Sequence, residues 1–328
     1  MYYCLHGRHW FCSSAFTNDY WNQRSGLFGG VYRGLCEGQS GRQVGRTLGV
    51  PPGTVARRER RLAQQSLLIL LGQRRDLEGR LLEDVILDGQ RTFAGSRYEP
   101  MDLNTLVTVS GYVVDVSLAP LRRSGAMTEG QKRRRRERES RLGRPDPWAR
   151  RKVTREAIRL LVRLASRGHV IGLRTDEEPD YARALADEGH PESIAHRTTS
   201  SRRRRDTSNP LWRVNHLHAL MRHGLKSQAR ATLGFHKRAA GLMDRALVFT
   251  TWINNTKGQS ERSAARSRIT PAMELGLTDR PLSGEELFAR RRFPEREGLP
   301  ESLRAVYEGR IVARPRERMT RRVPKLAY

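Results

Sequence analysis

The chain has 328 residues, with 62 basic against 35 acidic side chains and a formal net charge of +27. Such an excess repels itself unless a polyanion neutralises it, which points to nucleic acid as partner. With 37% apolar residues and no run of about eighteen of them, a core of two or three domains is expected and a membrane span is not.

The three cysteines, Cys4, Cys12 and Cys36, are too few and too odd in number for a disulfide framework, and they suit a reducing, cytoplasmic compartment. Residues 1–25 are aromatic and irregular. Cys4, His6, His9 and Cys12 are metal-ligand types, but their spacing does not make two proper knuckles, so zinc is not expected there.

Residues 26–75 carry a helix-turn-helix pattern. Val31 to Leu35 read as the end of a first helix, and Gly38-Gln39-Ser40 break it. Arg42 to Val50 read as a short second helix with a glycine turn and Thr54 to Leu62 as a third. Val44, Leu48, Val50 and Val55 supply apolar contacts, and Gly49 permits the tight turn. Arg42, Gln43, Thr54, Arg57, Arg58 and Arg61 are then the candidate DNA contacts, facing the major groove and its phosphates.

Helix is expected to continue over 64–82, with Leu67, Leu68, Leu70 and Leu71 as its packing face. Next, Val85-Ile86-Leu87 run into Asp88-Gly89, the way a buried strand presents a carboxylate at its tip. Leu106 to Ser110 and Tyr112 to Leu118 alternate around Gly111 as a hairpin. Residues 122–148 form a charged insertion with the run Lys132 to Arg136, either a solvated face or a phosphate contact. A helix follows through Val153 to Leu164 and stops at Gly168. His169 to Asp176 then repeat the strand-into-acid pattern, with Glu177 as the rival acid. Arg202 to Arg205 make a second basic run.

Val214 to Trp252 are expected to be largely helical. On one continuous helix Arg222, Arg230 and Lys237 would share a face, a stripe able to follow a phosphate backbone. Residues 266–328 read as a basic C-terminal tail with a capping box at Ser283 to Glu286 and a flexible last dozen residues.

Phosphodiester cleavage needs an oxygen nucleophile deprotonated and a leaving oxygen stabilised, and two divalent ions held by about three carboxylates can do both. Asp88 and Asp176, at the ends of adjacent parallel strands, would lie side by side. Asp244, the acid in the central stretch of the long helix, is the third candidate, with Glu261 a weaker alternative.

At these residues the chain resembles bacterial insertion-sequence transposases of the DDE class, the group with a zinc ribbon and helix-turn-helix ahead of the catalytic core. The matching pieces are Leu87-Asp88-Gly89, Arg174 to Glu177 with Tyr181 to Leu185, and Asn209-Pro210-Leu211. The spaced set Asn215, Arg222, Arg230, Thr232, Phe235 and Lys237 matches too, as does Thr270-Pro271-Ala272-Met273 before Gly276-Leu277. The match runs over residues 10 to 300.

The resemblance implies an α/β chain (α+β overall): residues 1–25 a degenerate ribbon remnant, 26–75 the helix-turn-helix, 76–265 an RNase H-like mixed sheet flanked by helices, and 266–328 a tail. It implies Mg²⁺ (or Mn²⁺) bound by Asp88, Asp176 and an acid near Asp244. It also implies double-stranded DNA as partner, both terminal inverted repeats and target, with homo-oligomeric assembly on DNA at the nucleoid. Gly7 stands where the ribbon's second cysteine belongs, as in a truncated or decaying copy. Two alternatives stay open: an inactivated copy that only binds DNA, and a basic RNA-binding protein.

Overall fold

The computed structural model describes residues 1–229, 234–294, 298–299, 303–304 and 307–308. At the N-terminus, β1 (Tyr2–Cys4) and β2 (His9–Phe11) pair antiparallel. Their rings pair across the strands, Tyr2 on Phe11 and Tyr3 beside Trp10. Cys4 Sγ accepts the Gly7 N–H at 3.2 Å, and Cys12 Sγ lies 2.6 Å from Ser14 Oγ.

Three helices follow, α1 (Phe28–Cys36), α2 (Gly41–Thr47) and α3 (Pro52–Leu77). Ser40 starts α2 by accepting the Gln43 N–H while the Gln43 side chain accepts the Ser40 N–H. Gly49, at φ +60°, makes the turn, and a Cβ on Gly45 would sit 2.7 Å from the Val50 carbonyl oxygen. Only glycine lets the turn close this tightly. Val31, Leu35, Val44, Val50, Val55 and Leu62 bury together as the core of the expected helix-turn-helix.

Helix α3 is 26 residues long, about 39 Å at 1.5 Å per residue. It runs through the boundary expected near residue 75. Its first half belongs to the helix-turn-helix core; Leu67, Leu70 and Leu71 belong to the core on one face of the sheet, and Leu77 to that on the other. The leucine-rich stretch is therefore packed on most sides, as an all-round apolar helix segment requires.

The sheet has five strands in the order β5-β4-β3-β6-β7. β3 (Val85–Phe93), β4 (Pro100–Thr108) and β5 (Val113–Pro120) are a meander of antiparallel neighbours. β6 (Ile171–Thr175) lies parallel to β3, and β7 (Ile194–Thr198) parallel to β6. The result is an α/β fold, a mixed sheet flanked by helices. Between β5 and β6 come α4 (Glu129–Leu142), with no buried residue, and the amphipathic α5 (Ala149–Leu164). α6 (Pro179–Asp187) joins β6 to β7. Alternation in β3 divides the two cores: Val85 and Leu87 face α5 and α6, whereas Ile86 faces α7 (Trp212–Gly224) and α8 (Ala239–Asn255).

Two expectations change here. Residues 214–252 are not one helix: α7 ends at Gly224 and α8 begins at Ala239, so no single helical face can carry Arg222 and Lys237. The segment after 265 is also more than a tail. It contains α9 (Pro271–Glu274) and α10 (Gly284–Leu287), the latter opened by the expected Ser283/Glu286 capping box. Leu287 and Phe288 enter the helix-turn-helix core, and the Gln65 side chain exchanges hydrogen bonds with the Arg292 backbone. The expected flexible last dozen residues lie outside the described residues. Among the described residues no helix is long and apolar enough to cross a membrane.

Candidate metal and nucleic-acid site

The parallel pairing of β3 with β6 places Val85 opposite Leu173 and Ile86 opposite Arg174. Continued two residues further, the same register carries Asp88 level with Asp176. Asp88 is not at a strand tip, as expected from the glycine after it, but within β3, which runs on to Phe93. Asp176 is the first residue beyond β6. Both line one cleft of about 640 Å³.

Several local contacts fix these acids. The Gly89 N–H donates to Asp88 Oδ1 at 2.8 Å, and the Glu178 N–H donates to Asp176 Oδ1 at 3.0 Å as α6 begins. A Cβ on Gly89 would sit 2.5 Å from an Asp102 oxygen, so the residue after Asp88 must be small. Asp102 is itself held by Arg150 Nε at 2.8 Å, and Arg150 Nη1 reaches Glu178 at 2.6 Å. Arg150 thus ties β4 to the loop carrying Asp176.

Asp88 titrates at about 7: burial raises it most, the Asp176 carboxylate raises it further, and Arg205 pulls the other way. Two acids share a half-closed space, and the Asp176 carboxylate disfavours ionisation of Asp88, so a cation would stabilise the site.

The other wall is α7. Asn215, His218 and Arg222, at helical spacing, all line the cleft. His218 is buried, and its Nε2 lies 2.8 Å from Thr105 Oγ1 on β4. Its Nδ1 lies 3.6 Å from Asp88 Oδ2, and burial drives its pKa down to about 3, so the ring is neutral. The loop before α7 adds Arg203 and Arg205, and β3 with the loop after it adds Arg91 and Arg97. Carboxylates and guanidinium groups lining one cleft could hold a divalent ion and a phosphodiester together.

The fit to a divalent ion rests on this donor set. Two carboxylates, the Asn215 carboxamide and the His218 imidazole share the cleft. Among the described residues, no three His, Cys, Asp or Glu side chains already stand around one point. Mg²⁺ commonly takes one or two carboxylates and fills its shell with water and substrate phosphate, so the pair suffices for binding with substrate.

Asp244, the expected third acid, is elsewhere. It lies on α8 with both oxygens on Arg60 Nη1, at 2.8 and 2.9 Å, and it does not line the cleft. Burial raises it to about 6 against the pull of Arg60. Its expected role depended on one helix spanning 214–252. The break at Gly224 makes α7 the helix over the carboxylates and leaves α8 packed on α3. Glu261 pairs with Lys257 at 2.7 Å on an exposed turn.

The expected DNA contacts divide. Arg42 and Arg57 are exposed, and Arg57 Nη2 donates to Thr54 Oγ1 at 3.3 Å. Arg61 is half-buried and lines a concavity with Arg57, Arg60 and Gln64. Gln43 is the capping partner of Ser40. Arg58 is only 5% exposed; it donates to the Arg24 carbonyl at 2.8 Å and to Asn22, and stacks on Phe28. It holds the segment before α1 in place rather than facing a groove. Arg222 lines the cleft, and Lys237 sits over the Phe235 ring, 3.3 Å from its centre. Arg230 lies outside the described residues.

His218 and Arg205 were not expected at the site, and Asn215 had no role assigned. The i, i+3, i+7 spacing of Asn215, His218 and Arg222 was visible in the sequence and marks one face of a helix.

No family model matches the chain, and no curated protein matches it. A chain in the cryo-EM structure of a simian T-cell lymphotropic virus intasome in complex with PP2A regulatory subunit B56 gamma is similar over 55% of this chain and 51% of that one, at 17% identity and a TM-score of 0.26. This chain thus spans about half the length of that one, and a likeness so weak carries nothing about activity.

Proposed function

We propose that the chain is a metal-dependent DNA-cleaving and strand-transferring enzyme of the DDE transposase type. The observation that carries this is that Asp88 and Asp176 line one cleft together with Arg203, Arg205 and Arg222. A bound Mg²⁺ or Mn²⁺ supplies Lewis acidity for the attacking and leaving oxygens. Asp88 and Asp176 would hold it, with the Asn215 carboxamide lining the same cleft. Arg203, Arg205 and Arg222 orient the scissile phosphate and offset its charge. Arg42, Arg57 and Arg61 grip duplex DNA beside the recognition helix, with terminal inverted repeats and target DNA as substrates, on a homo-oligomer at the cytoplasmic nucleoid.

The displacement of Asp244 from the cleft favours a second reading, a DNA-binding relative without cutting activity. Nicking of supercoiled plasmid with Mg²⁺ or Mn²⁺ separates the two. The enzyme reading expects nicking that Asp88→Ala abolishes while duplex binding persists. Metal-independent nicking, or none with binding intact, removes it.

A further inference from the structure

Facing Asp88 in the cleft is the His218 imidazole, which presents Nδ1 to the carboxylate. Thr105 Oγ1 lies 3.3 Å from the Asp88 carbonyl oxygen, to which it donates, and 2.8 Å from His218 Nε2. The hydroxyl has one proton. Spent on the carbonyl, it leaves the oxygen to accept from His218 Nε2–H. A neutral ring protonated at Nε2 presents a bare lone pair at Nδ1. That lone pair lies 3.6 Å from Asp88 Oδ2, too far for a hydrogen bond and with an acceptor on each side. Two acceptors facing each other want a cation between them. An ion ~2.1 Å from each donor spans this gap at an angle a little wider than tetrahedral.

Resting on the metal-site reading above, we infer that His218 Nδ1 is a direct ligand, together with Asp88 Oδ2, of the ion in the cleft. The site therefore takes a first-row divalent transition ion in preference to Mg²⁺. The buried Thr105–His218 bond is the outer contact that holds the ring in the binding tautomer, the usual arrangement for ligating histidines. An imidazole nitrogen suits transition ions, whereas Mg²⁺ prefers a shell of oxygen donors. His218 is the only histidine lining the cleft among the described residues.

The test is Mn²⁺ binding to the untagged full chain, followed by electron spin-echo modulation of the bound ion and by competition with Mg²⁺. The expected result is nitrogen modulation that changes to the ¹⁵N pattern in protein labelled with ¹⁵N-histidine and disappears in His218→Asp. That variant should also shift the Mn²⁺/Mg²⁺ affinity ratio toward Mg²⁺ by about tenfold or more. Because the labelling arm uses the natural chain, it stands even if the variant fails to fold. Bound Mn²⁺ without nitrogen modulation, or modulation that survives in a folded His218→Asp, overturns the inference and leaves the carboxylate site intact. Absence of Mn²⁺ binding by the natural chain, with and without duplex DNA, overturns both.

Discussion

Arg60 holds both carboxylate oxygens of Asp244, at 2.8 and 2.9 Å, and so fastens α3 to α8. One residue along on each helix, Glu59 pairs with Arg245, which also reaches the Gln39 carbonyl at 3.4 Å. These bonds, and the burial of Val248 in the helix-turn-helix core, make the N-terminal helices and the sheet one body. Removing Arg60 would leave Asp244 buried without its partner, so Arg60→Ala should destabilise the chain by about 3 kcal/mol, measured by denaturant unfolding. Asp244→Asn should cost less and leave divalent-ion affinity unchanged. Loss of ion affinity in Asp244→Asn would restore that residue to the metal site.

Asp88 gives a pH signature. Burial pushes it up to about 7, well above the usual aspartate range, so the folded state binds the proton more tightly. The stability this contributes is present at low pH and is lost as pH rises from about 4 through 7, at no more than ~1.4 kcal/mol per pH unit. Asp88→Asn should therefore stabilise the metal-free chain more at pH 8 than at pH 5. The comparison must be with the natural chain, because buried His218 and His236, both pushed down to about 3, slope oppositely below their unfolded values. An equal effect of the variant at both pH values would mean that Asp88 is not buried beside another carboxylate.

Within the helix-turn-helix, two neighbouring arginines should behave differently. Arg57→Ala should weaken duplex binding and reduce the salt slope by about 0.9, one phosphate contact, with stability unchanged. Arg58→Ala should lower thermal stability, because its guanidinium bridges to Asn22 and Arg24 and covers Phe28. Equal loss of binding and unchanged melting in both variants would place Arg58 at the DNA after all.

Gly45 should tolerate nothing larger. A Cβ there meets the Val50 carbonyl oxygen at 2.7 Å, a backbone atom that cannot swing aside. Gly45→Ala should destabilise by about 1–3 kcal/mol despite alanine's better helix propensity. A stabilised variant would mean the turn between α2 and α3 is looser than described.

Much of this was legible in short-range pattern. Val85 to Leu87 running into Asp88-Gly89, and Ile171 to Thr175 into Asp176, marked two strands and both acids, because burial on both faces selects aliphatic runs and leaves the charged residue conspicuous. Ser283 with Glu286 marked a helix start for the same local reason. What failed depended on distance along the chain. Asp244 looked catalytic because nothing near it in sequence is its partner, and Arg60 lies 184 residues away. Arg58 looked like a groove contact because its helix is basic, whereas Asn22 is 36 residues earlier. The helix break after Gly224 decided which helix faces the carboxylates, and with it the role of Asn215 and His218.

The most direct measurement is a double-variant cycle on metal-dependent plasmid nicking, using Asp88→Ala, Asp176→Ala and the two together. If one ion is shared by both carboxylates, each single variant should lose about three orders of magnitude and the double variant little more. Losses that multiply, or near-normal nicking in Asp176→Ala, would show that the two acids do not work at a common site.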